Sequence, residues 1–475
     1  MEYDVTIGLE VHCEMKTNTK MFSPALNSYN TIPNFNIGEI DLAFPGTLPQ
    51  VNYEAVKKSI MMALALNCTV PNYMYFDRKN YYYPDLPKGY QVTQAHDPVG
   101  TNGYLDLYVG DTVKRVFIHD IHLEEDTASL DHYSTYSLLD YNRCGVPLLE
   151  TVTEPCLHSV DEALAFLDAL RKVFIYCDIS EARTDRGQMR CDVNVSLAPK
   201  GSNTLGTRVE MKNINSFVNV RNAIECEIAR QKEALENGEV IEQETRRYDD
   251  TECKTFRMRS KADAVDYKYF IDPNIPPFRI NDSLISEVRG RIPALQFERI
   301  NKYMNEYEIS KYDATVLVKD REMAEYFDNL IANEIDAKTA CNWVTTVIAG
   351  YLNKNDLDVK DLYLTSDMLA YVIKAISKGD ISGKQAKEVV EKSLTEKKSP
   401  KEIIKSMGMK QISDDATIRG IIVSILDANL NLIADYHNGR SNVFDFFVGQ
   451  VMKQTRGQAN PSMTSSILKE EIDKR

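Results

Sequence analysis

The sequence predicts an α+β protein, a large domain of mixed strands and helices followed by an all-helical domain and a small helical tail. Three observations carry that expectation. Apolar residues alternate at period two in several segments before residue 293, and a spacing near 3.6 replaces that alternation afterwards. A length of 475 residues also exceeds what one ordinary core organises.

The first strand is written in VTIGLEVHCEM, where Val5, Ile7, Leu9, Val11 and Cys13 alternate with Thr6, Gly8, Glu10, His12 and Glu14. Strands are expected at 4–13, 103–109, 113–121, 189–197 and 207–213, and helices at 52–66, 159–175 and 217–236. The last helix begins near Ser216 and stops at Asn237-Gly238, a good C-terminal signal. Between them, DRKNYYYPDLPKGYQVTQ within 71–98 is too aromatic and too charged for an idle linker; the alternative is a large aromatic surface loop. DPNIPPF and RGRIP mark a boundary at Pro293. Beyond it, Thr365-Ser366 opens a helix that Lys378-Gly379 closes, and Ser382 caps another. The stretch 386–409, rich in Lys, Glu and Ser, reads as solvated, with a second boundary near 408. In the final unit Asn438-Gly439 reads as a turn and Asn460-Pro461 as the cap and first position of a last helix. The expected domains are therefore 1–293, 294–407 and 408–475.

Composition narrows the class. A net charge of -14 argues against general coating of nucleic acid, while leaving room for a local basic patch. The nine cysteines form no CxxC pair, so a four-cysteine zinc knuckle is not expected. Their odd count, with no basic leader or apolar signal segment, points to a reducing, cytoplasmic setting. No apolar run approaches the length of a membrane span.

Chemistry enters with the polar stripes. Glu10, His12 and Glu14 share one strand face, and TVKRVFIHDIHLEED ends in three acids behind His119 and His122. Glu125 falls on the face opposite Glu124 and Asp126, so only one of these sets can line a pocket. Arg190, Asp192, Asn194 and Ser196 share a face in MRCDVNVSL, as do Arg208, Glu210 and Lys212 in TRVEMKN. Acids of this kind hold a divalent cation while Arg and Lys meet phosphate oxygens. Glu10, His12, Glu125, Asp192 and Glu210 form the candidate donor set, which favours Mg²⁺ and through its imidazole leaves room for Mn²⁺. The alternative is a cross-strand ion-pair ladder in which Arg208 and Lys212 neutralise the acids. Phosphate-cradling glycine loops and kinase signature motifs are absent from the sequence.

Longer segments carry a resemblance. YYYPDLPKGYQVTQ (81–94), HLEED (122–126), DYNRCGVPLLETVTEP (140–155), RCDVNVS (190–196), QETRRYD (243–249), DYKYFIDPNIPP (266–277) and GQVMKQTRGQANP (449–461) resemble, in order, motifs of the B subunit of the aspartyl/glutamyl-tRNA amidotransferases. The resemblance implies a cradle-like kinase domain and a heterotrimer completed by the A and C subunits. It further implies ATP- and Mg²⁺-dependent activation of Glu or Asp mischarged on tRNA(Gln) or tRNA(Asn), with ammonia arriving from the A subunit. By resemblance and position, Glu10, His12, Glu125 and Glu210 are expected at the metal, with Asp192 a weaker candidate; Glu125, Glu210 and Arg190 are the expected catalytic residues. Arg190, Arg208 and Lys212 would meet phosphate, and Lys79, Tyr82 and Lys88 would border the nucleotide or aminoacyl end. Lys453, Arg456 and Asn460 would contact tRNA. Two positions depart from the family pattern: Arg186 stands where an acid is usual, and Ser129 where a lysine is. MFSPALNS lacks the cysteine cluster of some relatives, so no zinc is expected there. The rival expectation is a noncatalytic RNA-binding scaffold, which scattered rather than convergent acids would favour.

Overall fold

The computed structural model describes residues 2–214, 216–260, 266–407, 414–437, 440, 442–455 and 459–475. It divides into two units, Met1–Arg299 and Ile300–Arg475. The expected turn at Asn438-Gly439, the boundary near 408 and Arg456 lie outside the described residues.

The first unit is built on period-two alternation. Its strands are β1 (Tyr3–Glu14), β2 (Tyr73–Met74), β3 (Asp77–Asn80), β4 (Tyr90–Thr93), β5 (Gly100–Val109) and β6 (Thr112–Glu125). They continue with β7 (Ser129–His132), β8 (Ser137–Asp140), β9 (Pro147–Thr153), β10 (Met189–Pro199) and β11 (Val209–Ile214). Then come β12 (Glu244–Asp249), β13 (Lys254–Ser260), β14 (Phe270–Ile271) and β15 (Phe278–Arg279). Eight of them form one sheet in the order β13-β12-β11-β10-β1-β9-β6-β5, antiparallel except for the parallel pair β11–β12.

Three helices cover one face of that sheet: α1 (Tyr53–Ala65), α2 (Val160–Tyr176) and α3 (Phe217–Glu236). Each starts at a side chain that satisfies an orphan backbone N–H. Asn52 accepts from Glu54 and Ala55, Ser159 from Glu162, and Ser216 from Asn219. Beneath them, Ile7, Leu9, Val11, Leu123, Val193 and Val195 form one core with Ile60, Phe166, Leu167 and Ile224. The opposite parity of the same strands is left to face a cavity.

The connection 71–98 contributes β2, β3 and β4 and is no surface appendage. Strand β9 was not expected. The chain enters it through Gly145, whose φ of +80° and whose approach to Asp41 (a Cβ would sit 2.6 Å from the carboxylate) suit glycine alone.

The second unit is helical among the described residues. Thr365 caps Ser366–Ser377, and Ser382 caps Gly383–Glu396 through a reciprocal capping box with Gln385. The stretch expected to be solvated is therefore helical up to Glu396 and again over Pro400–Ser406, and it buries Ala386, Val389, Val390, Leu394 and Ile403. Its many charges lie on the remaining surface, as an amphipathic helix requires. Residues 414–475 have their own core, including Ile418, Ile422, Leu426, Phe447 and Leu468. No helix among the described residues is long and apolar enough to cross a membrane.

Candidate active site

Strand pairing assembles the site. In register, His12 of β1 lies opposite Glu150 of β9, and Glu150 lies opposite His122 of β6. One carboxylate thus sits between two imidazoles drawn from three strands. On the other side of β1, Glu10 faces Asp192 and His12 faces Arg190 of β10. Because side chains alternate, these residues and Glu124 share the face left open by the helices.

The distances are short. His122 donates from Nε2 to Glu150 (2.8 Å) and from Nδ1 to Asp120 (2.9 Å). The Nε2 of His12 lies 3.2 Å from Glu150 and 3.7 Å from Glu10. Among the described residues two donor groups result, Glu10–His12–Glu150 and His122–Glu124–Glu150, each with its ligand atoms within 4.8 Å of one another. All line a cavity of about 780 Å³ together with Lys79, Asp120, Asp126, Arg190, Asp192, Lys212 and Tyr269.

Electrostatics follow from crowding. Burial, reinforced by the charge of Glu150, pushes the Glu10 carboxyl up to about 7. Burial disfavours charge on His12 too, but Glu150 outweighs it and lifts that imidazole to about 9. His122 is held well above its ordinary value against burial by the same carboxylate and Asp120. Burial alone would raise Glu150; His122 and His12 overrule it and hold this carboxyl well below the usual range. Desolvation and Glu150 raise Glu124.

Cations line the cavity as well. Arg190 pairs with Asp126 at 2.5 Å, while its Nε is buried without a hydrogen-bond partner among the described residues. Lys212 is held between Asp192 (2.6 Å) and Glu210 (3.2 Å). The Lys79 ammonium sits 5.0 Å over the Tyr267 ring, and its pKa is raised because Glu124 and its neighbours overcome the burial that would lower it.

Of the residues singled out from the sequence, Glu10, His12, Lys79, Arg190, Asp192 and Lys212 meet in this cavity. Others do not. Glu125 is out of phase with Glu124; its buried carboxylate pairs with Lys88 and accepts from the Val92 N–H. That parity sets Glu125 and Lys88 apart from the residues lining the cavity. Glu210 stands back from the cavity lining, accepting from Thr245 (2.8 Å) behind Lys212, because its register partner is Asn194 and not Asp192. Arg208 precedes β11 and is exposed, and Tyr82 is 96% exposed. Sequence reasoning missed Glu150 as a donor. The two leucines before it in PLLETVT hide the alternation, and only its strand partners reveal its role. In the tail, Asn460 caps the last helix by accepting from Met463, and Lys453 is exposed.

Imidazoles packed among carboxylates and ringed with cations are the donor types that a divalent ion and an anionic substrate call for. Comparison with known proteins makes this specific. Residues 5–286 match the family model described as the GatB/GatE catalytic domain, and residues 325–472 match the GatB domain. The B subunits of the aspartyl/glutamyl-tRNA(Asn/Gln) amidotransferases of Staphylococcus saprophyticus and Bacillus cytotoxicus are each 44% identical to this chain, and that of Geobacillus thermodenitrificans is 43% identical. Each alignment covers 100% of both chains. The chain belongs to the family of aspartyl/glutamyl-tRNA(Asn/Gln) amidotransferase B subunits.

Proposed function

We propose that this chain uses ATP to activate the side-chain carboxylate of Glu mischarged on tRNA(Gln), or Asp mischarged on tRNA(Asn), for conversion to the amide. The substrate class comes from the relatives' names. The observation that carries the residue assignment is the row His12–Glu150–His122, flanked by Glu10 and Glu124 in one cavity with Lys79 and Arg190.

Two imidazoles and three carboxylates whose donor atoms already cluster fit a cation such as Mg²⁺ or Mn²⁺. Glu10, His12, His122, Glu124 and Glu150 are the residues to hold it, with His122 oriented by Asp120. When bound, the ion supplies charge compensation for the triphosphate.

A carboxylate resists ammonia because its leaving group would be oxide. In the proposed sequence, one carboxylate oxygen bonds to the γ-phosphorus as the bond to ADP breaks. Ammonia then attacks the acyl carbon, loses a proton, and expels phosphate. Such a transfer needs positioning and charge compensation more than a protein nucleophile. Arg190, which lines the cavity, offers its guanidinium charge to a phosphoryl or carboxylate oxygen. Lys212, braced by two acids, contributes a fixed positive charge at the cavity wall.

The first unit is thus read as the kinase cradle, and residues 408–475 as a tRNA-contacting tail presenting Lys453. The A and C subunits complete the assembly, with ammonia released by the former and kept from protonation by enclosed delivery. The test is reconstitution with both partner subunits, ATP, glutamine and each mischarged tRNA, following amide product and ATP hydrolysis. Glu150→Gln should abolish ATP-dependent amide formation while the heterotrimer still assembles. A Glu124→Gln/Glu150→Gln double variant working at full rate would reject the assignment.

A further inference from the structure

Most of the nine cysteines are closed to reagents. Cys13, Cys68, Cys144, Cys177, Cys191 and Cys341 are buried, and burial pushes the first three thiols up to about 12. A thiol held in that state is inert, because the thiolate is the nucleophile. Cys226 and Cys253 differ. The first is half-buried and the second exposed, and they meet although 27 positions separate them in the chain. The Cys226 thiol donates to the Cys253 carbonyl across 3.3 Å.

The pair joins two elements, since Cys226 lies on α3 and Cys253 in the turn between β12 and β13. Helix and turn are fixed against one another. Glu227, beside Cys226, accepts from the Thr255 hydroxyl (2.9 Å), two residues beyond Cys253. Within the turn, Asp249 Oδ1 accepts from the Thr251 and Glu252 N–H groups (3.1 Å each). The Cys253 thiol donates to the Asp250 carbonyl at 3.5 Å; a thiol is a weak donor, so a change of rotamer frees it readily. Burial first, then Cys253, and to a lesser degree Cys226 push the Tyr248 hydroxyl up, so both thiols stand near one phenol.

We infer that Cys226 and Cys253 form a reversible oxidation site for peroxides, in which Cys253 meets the oxidant and Cys226 closes a disulfide with it. The Cys253 thiolate sulfur bonds to one oxygen of hydrogen peroxide as the O–O bond breaks, and the other oxygen leaves as hydroxide. Cys253 is then a sulfenic acid. The Cys226 sulfur attacks the Cys253 sulfur, the S–O bond breaks and a second hydroxide leaves. The two thiol protons turn both hydroxides into water, so two thiols are oxidised and one peroxide is reduced. Exchange with a small thiol such as glutathione restores the pair. The bond ties the β12–β13 hairpin to α3. Thr245 of that hairpin donates to Glu210 (2.8 Å), and Glu210 braces Lys212 at the cavity wall (3.2 Å). Oxidation therefore stiffens an element behind the cavity without altering a residue that lines it.

The test treats the folded full chain with hydrogen peroxide, alkylates the remaining thiols and maps the peptides by mass spectrometry. A peptide pair joined through Cys226 and Cys253 is expected, lighter by two hydrogen atoms than its reduced halves and released by glutathione. Cys226→Ser should leave Cys253 as a sulfenic acid that a dimedone probe captures, while Cys253→Ser should leave Cys226 open to alkylation. Because the bond closes a 27-residue loop, the oxidised chain should unfold about 5–10 °C above the reduced one. An unchanged midpoint would overturn the tie between helix and hairpin. Sulfinic acid on Cys253 beside an unmodified Cys226, a link from Cys253 to a second chain, or two thiols untouched by peroxide would overturn the site itself.

Discussion

Glu124 and Glu125 are neighbours in the chain, yet they occupy unlike worlds. Glu124 faces the open cavity beside Glu150 and two imidazoles, where its charge meets other acids. Glu125, one residue on, is buried against Lys88 and a backbone N–H, its charge fully met by protein. The difference teaches that strand parity, more than residue type, decides which carboxylate is free for chemistry and which is spent on structure. The cavity's acids are shared among His12, His122, Arg190 and Lys212, several to each, whereas the Lys88–Glu125 pair is one acid to one base.

The comparison breaks most sharply at the closed pair. Lys88→Ala should cost about 3–5 kcal/mol, because it strands a buried carboxylate, while Lys88→Met with Glu125→Gln should recover most of that loss. Denaturant unfolding of the full chain measures both, and a single variant within about 1 kcal/mol of the parent would show the pair to be solvated.

Next comes the open side. Glu150→Gln should lower the turnover of ATP-dependent amide formation by about 100-fold or more in a heterotrimer that still assembles. A large loss of stability in its place would put Glu150 in the same structural class as Glu125. A smaller effect is expected one bond further out. Asp120→Asn, which loosens the orientation of His122, should weaken Mn²⁺ binding by about 10- to 100-fold in a calorimetric titration. Equal affinity in the variant would mean His122 is not a ligand.

The smallest effect belongs to the second unit. Lys453→Ala should weaken tRNA binding uniformly and reduce the slope of log K against log salt by roughly 0.7–0.9, the share of one phosphate contact. An unchanged salt series would separate the tail from the tRNA backbone.

Much of the fold is legible in the order of residues. The alternation in VTIGLEVHCEM and MRCDVNVSL places β1 and β10 to within a residue or two, and it puts Glu10, His12, Arg190 and Asp192 on a common face. Helix starts at Ser216, Ser382 and Asn460 are readable because a short polar side chain there satisfies N–H groups the helix cannot. Glu150 is not readable in this way. PLLETVT has no clean period, and the residue matters only because β9 inserts between β1 and β6 and sets its carboxylate against His12 and His122. Glu210 illustrates the converse. Its stripe is right in phase, but the register sets Glu210 opposite Asn194, and it is Lys212, two residues on, that meets Asp192.

The linear chain thus settles the local periods, the helix caps, the mixed and helical halves and the kinship to one family, since each depends on residues near in the chain or on recognisable motifs. Strand order, register and the choice between Glu124 and Glu125 were decided only by tertiary structure. They depend on partners more than twenty residues away, and a shift of one position along a strand exchanges its two faces.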